Sequence, residues 1–233
     1  MGRQLTTWLA ERGVDTALVS RAPATASGTA HIVVDAAGEN QIVVVPGANA
    51  RTTAIAQEAV AAASIVVLQG EVPAAAIQEA VQVAHRCSVP VLLNLAPVLA
   101  LTPQTLAAVD FLVVNEPEAG LLLGRQLSGT LENALAAVAA LTAISVNAVV
   151  TLGAAGAVWA DAAGATGHVA APSVPVVDTT GAGDAFVGVM AATLASGSSL
   201  VHAVQRGTVA ASTAVQHTGA AMNYPAFRKV GRL

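Results

Sequence analysis

Aromatic side chains are almost missing from this chain: Phe, Tyr and Trp together supply 3% of its 233 residues. Its core must therefore be built from Ala, Val and Leu, and hydrophobic residues reach 55%. Charge is scarce as well, at 10% of residues, with a net charge of -4 and no run of Lys or Arg. That sign argues against binding a phosphate backbone, so no nucleic-acid partner is expected. The one cysteine, Cys87, cannot close an internal disulfide, which fits a reducing, cytoplasmic setting. No apolar signal-peptide core occupies Met1–Arg12. The five histidines offer neither metal-ligand spacing nor a Ser/His/Asp constellation.

One long uncharged stretch, Asn133 to Ala160, is long enough to cross a bilayer. Its Asn, Thr, Ser and Gly residues divide it better into a helix (Leu131–Leu141), a strand (Ala148–Leu152), a turn and a strand (Ala157–Ala160). No membrane partner is expected. The length suits one domain, residues 1–233.

Apolar periodicity predicts helices at Gly2–Glu11, Thr53–Ala63, Ala74–Arg86 and Pro103–Val109. Strands are predicted at Val14–Val19, Ser64–Leu68, Val89–Asn94 and Phe111–Val114. Thr29–Val34 and Gln41–Val45 form a hairpin around the polar turn Ala36–Asn40. Near-continuous apolar strands alternating with helices imply an α/β fold, a mostly parallel sheet covered on both faces. Ligands in such sheets sit at the carboxyl ends of strands, where Glu71, Asn94 and Asn115 fall.

The most informative run is Asp178-Thr179-Thr180-Gly181-Ala182-Gly183-Asp184. It follows the strand-like Val174–Val177 and precedes a long apolar helix. Small residues there let backbone N–H groups form a nest for an anion at the positive end of a helix dipole. Asp184, in the first turn, could accept a proton from an attacking hydroxyl. A tight turn followed by a favourable first-turn acid explains the same residues without any ligand. Asn115-Glu116-Pro117-Glu118 likewise reads as an N-cap with a capping box, or as groups near phosphate and Mg²⁺. Thr151-Leu152-Gly153-Ala154-Ala155-Gly156 is a hairpin turn, or a close approach of backbone to nucleotide phosphates. Glu71, at a strand end, is a lone carboxylate of a kind usually just solvated.

In this order these clusters, with Gly28-Thr29-Ala30, Gly47-Ala48-Asn49, Asn94-Leu95-Ala96-Pro97 and Gly219-Ala220, resemble the PfkB carbohydrate-kinase family, in its ribokinase-like branch. The resemblance implies a three-layer α/β/α fold with a partial β lid at residues 29–45. It also implies an ATP-dependent kinase acting on the primary hydroxyl of ribose. Nucleoside and ketohexose kinases of the same family, and a catalytically silent nucleotide-binding remnant, are the alternatives.

Carried onto this sequence, the resemblance makes Asp184 the base and the amides of Gly181, Ala182 and Gly183 the anion hole. Ala30, Ile32 and Val44 would wall the sugar and Glu71 would hold its hydroxyls. Asn115, Thr151, Leu152, Gly153, Ala154, Ala155, Gly156 and Thr208 would line ATP, together with Gly183 and Asp184. Glu118 would hold Mg²⁺ through water. Asp178, Thr180, Ala214, His217, Gly219 and Asn223 would surround a monovalent cation, K⁺. Two copies would pair through the lid.

Departures from the family pattern are Val189 for a small residue, Asn223 for Ser, and Thr208 for a larger polar side chain. Met1–Leu5 resembles the middle of such enzymes, and no Gly-Gly pair occurs. The expectation is that the family's opening segment, with its Gly-Gly-Lys-Gly-x-Asn sugar motif and a strand of the sheet, is missing.

Overall fold

The computed structural model describes residues 2–34, 40–53 and 56–220. After α1 (Gly2–Ala10), strands β1 (Thr29–Val34) and β2 (Asn40–Val45) pair antiparallel as a separate two-stranded sheet. A 3-10 turn (Gly47–Arg51) and α2 (Gln57–Ala61) lead into the main body. There β3 (Val66–Gln69), α3 (Ala74–Arg86), β4 (Val91–Asn94), α4 (Pro103–Ala107), β5 (Phe111–Asn115) and α5 (Glu116–Leu123) alternate. Next come α6 (Leu131–Leu141), β6 (Asn147–Thr151), β7 (Ala157–Ala160) and β8 (Thr166–Val169), and the described chain closes with α7 (Ala182–Ala195) and α8 (Leu200–Ala214).

The main sheet has six strands in sequence order, β3 to β6 parallel and β7 and β8 antiparallel. Successive strand residues bury on opposite faces, which makes three layers. Val91, Leu93, Leu112, Val114, Ala148 and Val150 pack with α3, α5 and α6. Leu92, Val113 and Val149 pack with Phe186, Val187 and Met190 of α7 and Ala203 and Val204 of α8. The two final helices press closely because Gly207 carries no side chain: a Cβ there would stand 3.0 Å from the Phe186 ring and carbonyl. That contact fixes α7, and with it the residues of its first turn.

Two predicted strands do not form. Val14–Val19 contains turns and no strand. Val174–Val177 is irregular, its end held by the Val177 and Asp178 amides on the Val215 carbonyl, at 2.7 and 3.1 Å. Pro172 and Pro175 deprive that stretch of donors for a ladder. Conversely, β8 was not legible, because Thr-Gly-His-Val has no alternation. The helix predicted from Thr53 begins at Gln57. The uncharged stretch divides as expected into α6, β6 and β7, and no helix among the described residues is long and apolar enough to cross a membrane.

Candidate active site

The carboxyl ends of β4, β5 and β6 deliver Asn94, Asn115 and Thr151 side by side. Asn115 and Thr151 are register partners, and the Asn94 amide donates to the Val113 carbonyl at 3.1 Å. Opposite them stands the first turn of α7. Together these elements wall a cleft of about 190 Å³ lined by Asn94, Asn115, Glu118, Thr151, Gly183 and Asp184, among others. Of the residues singled out from sequence, the cleft thus gathers Asn115, Glu118, Thr151, Gly181, Gly183 and Asp184. Apolar Ala96, Val113, Phe186 and Val187 complete it. None of the four was assigned to the site from sequence, although Ala96 lies in the motif Asn94–Pro97, because a cleft wall and a core use the same residue types. Asn94 carried one signal, a polar side chain ending an apolar strand.

Gly181 caps α7 at φ +79°, in left-handed backbone that other residues rarely adopt. The Ala182 amide donates to the Thr179 carbonyl at 3.2 Å, so it is engaged within the turn. The amides of Gly183 and Asp184 have no hydrogen-bond partner among the described residues. A Cβ on Gly183 would meet nothing within 4 Å, and its φ is not positive. Neither packing nor backbone geometry requires glycine there, yet glycine is the weakest helix former after proline. A ligand brought close to the backbone would account for it, although Gly188, deeper in the same helix, is equally uncrowded.

Desolvation by the cleft walls pushes the Asp184 carboxyl above the ordinary aspartate value. Its sign favours proton acceptance, since a stronger base results. Glu118 is also raised by burial, with the hydrogen bonds from Asn115 opposing. Its Oε2 accepts the Asn115 amide at 2.8 Å while Asn115 Oδ1 accepts the Glu118 amide at 2.8 Å, a complete capping box. Structural cap and site residue are thus the same pair. Glu118 retains a second carboxylate oxygen, and its desolvated charge would gain from a nearby cation, so the position fits hydrated Mg²⁺.

The Asp178 carboxyl is held below its ordinary value, first by the Gly219 amide and then by Thr180. Its Oδ2 accepts from Gly219 at 2.9 Å and its Oδ1 from the Thr180 amide at 2.9 Å. With the double acceptance at Val215, this brings Asp178, Thr180, Ala214, His217 and Gly219 into one neighbourhood. The His217 ring donates from Nδ1 to the Thr213 carbonyl at 3.1 Å. Asn223 lies outside the described residues, as does the turn of the predicted lid hairpin.

Other expected residues stand apart from the cleft. Glu71 is exposed, its amide bonded to the Gln69 side chain. Ala30 and Val44 share a rung of the hairpin, both exposed, and Ile32 lies one rung pair further along it. Glu71, Ala30 and Val44 do not line the cleft. Leu152, Gly153, Ala154, Ala155 and Gly156 form the β6–β7 connection, with Gly153–Ala155 as a 3-10 turn. Thr208 is buried, its hydroxyl donating to the Val204 carbonyl at 2.9 Å, and it lines a second cavity of about 330 Å³. Val169, Ala170, Pro172, Gln205 and Val209 complete that cavity.

Comparison with known proteins gives this arrangement a context. Residues 1–226 match the pfkB family of carbohydrate kinases. The chain is 33% identical to the ribokinase of Schizosaccharomyces pombe, over 98% of this chain and 74% of that protein. It is 35% identical to the ribokinase of Bacillus subtilis, over 97% of this chain and 74% of that one. Among solved structures, Arabidopsis thaliana ribokinase complexed with ribose and ATP superimposes with a TM-score of 0.83 at 27% identity. That match covers 97% of this chain and 76% of the other. The three-layer sheet, the glycine-rich start of α7 and these matches agree: the chain belongs to the pfkB family of carbohydrate kinases.

Proposed function

We propose that residues 1–233 act as a single kinase domain that transfers the γ-phosphoryl group of ATP to the primary hydroxyl of D-ribose. The observation that carries this reading is one cleft that holds the Asp184 carboxyl, exposed at its edge yet raised above the ordinary aspartate value, beside the first-turn amides of Gly183 and Asp184, which have no partner among the described residues. The hydroxyl loses its proton to the Asp184 carboxylate as its oxygen attacks phosphorus. The Gly183 amide, at the positive end of α7, meets the charge developing on the phosphoryl oxygens. Chemistry of this kind asks the protein mainly for positioning and electrostatics.

ATP would run from this cleft, past Asn115 and Thr151, along the Leu152–Gly156 connection to the cavity at Thr208. Mg²⁺, when bound through water by Glu118, would neutralise phosphate charge. The Asp178–Gly219 neighbourhood is rich in oxygen donors and holds a carboxylate that stays ionised, which suits K⁺. Ala30, Ile32 and Val44 on the lid hairpin and Glu71 would close over the sugar, and two copies would meet through that hairpin. A cytoplasmic setting supplies ATP.

A second reading, nucleotide binding without sugar turnover, is favoured by one observation: Glu71, Ala30 and Val44 do not line the cleft. Ribose-dependent release of ADP in a coupled assay, compared with 2-deoxyribose, a ketohexose and a nucleoside, separates the two. Faster turnover with ribose than with the others supports the proposal. ADP binding with no sugar-dependent turnover supports the second reading and overturns the first.

A further inference from the structure

His168 sits at the middle of β8, where β7 fixes its backbone through the rung Val158↔His168. Its side chain leaves the sheet and reaches the β6–β7 connection. There Nε2 stands 2.7 Å from the Ala155 carbonyl oxygen. A carbonyl only accepts, so the ring donates from Nε2, and it does so whether neutral in that tautomer or fully protonated. Ala155 is the last residue of the 3-10 turn, and the turn begins two residues after Thr151 lines the cleft.

The same junction is tight at its next residue. Gly156 has φ +94°, and a Cβ there would overlap the Val169 carbonyl and stand 2.7 Å from the Ala171 amide. The turn therefore lies flat on residues 169–171. Val169 and Ala170, with Pro172, form the wall of the second cavity. His168 thus ties the end of the connection that leaves the cleft to the chain that walls the cavity.

We infer that His168 is a positioning residue for the nucleotide, which fixes the separation between the phosphate end and the base end of its site. The inference rests on the reading of the Leu152–Gly156 connection and the Thr208 cavity as one nucleotide site. It adds a residue that neither touches the nucleotide nor enters the chemistry. His168 is exposed, so its replacement leaves the core intact. Without the tie, the turn must be ordered at the moment of binding, and one net hydrogen bond corresponds to roughly 3- to 10-fold in affinity.

The test is calorimetric titration of ADP with Mg²⁺ into wild-type protein, His168→Ala and His168→Gln, with steady-state kinetics on each. Glutamine places an N–H close to the position of Nε2. His168→Ala should raise Kd and the KM for ATP by roughly 3- to 10-fold, with a smaller effect on kcat, while His168→Gln recovers most of the loss. An unchanged Kd for His168→Ala overturns the inference and leaves the kinase reading standing. Equal impairment of both variants, with kcat falling in step, also overturns it, because that marks a general structural defect. Failure of wild-type protein to bind ADP would overturn the nucleotide reading itself.

Discussion

Gly183→Ala separates folding from function at one atom. Gly183 is the second residue of α7, in ordinary helical backbone, and a Cβ placed on it meets nothing within 4 Å. For folding, the methyl is an improvement, because alanine loses less backbone entropy than glycine. The gain is about 0.5–1 kcal/mol for a helix interior and smaller near an end. For a domain of this size that corresponds to a rise in Tm of roughly 1–4 °C. For catalysis, the methyl stands in the cleft beside the amide left open to the phosphoryl group. Alanine keeps the N–H, so the effect is steric: a methyl that holds the phosphoryl oxygens off that amide forfeits up to the donor's full contribution, roughly 10²–10³-fold in kcat. Scanning calorimetry and a coupled assay for ADP release on the same preparation read both effects. A variant that melts at or above the wild-type temperature while losing turnover bears out the reasoning. Turnover within about threefold of wild type, against the loss expected when the methyl holds the ligand off that amide, refutes it.

Other perturbations test separate parts of the account. Because desolvation raises the Asp184 pKa, its protonated form persists to higher pH than for a free aspartate, and only the ionised form is a base. The acid limb of kcat/KM should therefore lie above the ordinary aspartate value of 3.8 and vanish from a pH profile of Asp184→Asn. Asp178→Ala removes the acceptor of the Gly219 and Thr180 amides, so stimulation by K⁺ over Na⁺ should disappear; equal rates in both ions for wild type would contradict the cation assignment. β3 ends the six-stranded sheet with its outer edge unpaired among the described residues, and Val67 is 46% exposed on it. With so few charges to shield that edge, the protein should self-associate at micromolar concentration and do so less as Val67→Glu; a monodisperse wild-type monomer in sedimentation refutes this.

Much of this was legible in the sequence because two periodicities are written plainly. Ala74–Arg86 and Leu131–Leu141 carry helical apolar stripes, and the structure gives both helices those same bounds. Strand ends were legible where an apolar run stops at a polar residue, as at Asn94 and Asn115; β6 ends at Thr151, one residue before the expected Leu152. β8 was not, since its pairing comes from the neighbouring strand and not from its own pattern. Val174–Val177 misled in the opposite sense, as β-branched residues without donors at two prolines cannot complete a ladder. At the site, the glycines stood out because they break a local rule, and Asp184 because it follows them. Gly183 weakens its helix, while Asp184 obeys the preference for an acid in the first turn. Violations of that kind concentrate at functional positions. The apolar wall of Phe186 and Val187 broke no rule, and so gave no sign of itself.

The central claim is that Asp184 accepts the proton of the attacking hydroxyl. Asp184→Ala, assayed for ribose-dependent ADP release and for ADP binding on the same sample, tests it most directly. The account predicts a fall in kcat of about 10²–10⁴-fold, with nucleotide affinity changed little, since the carboxylate meets the hydroxyl and not the base. A variant that retains more than about half of wild-type turnover would contradict the claim.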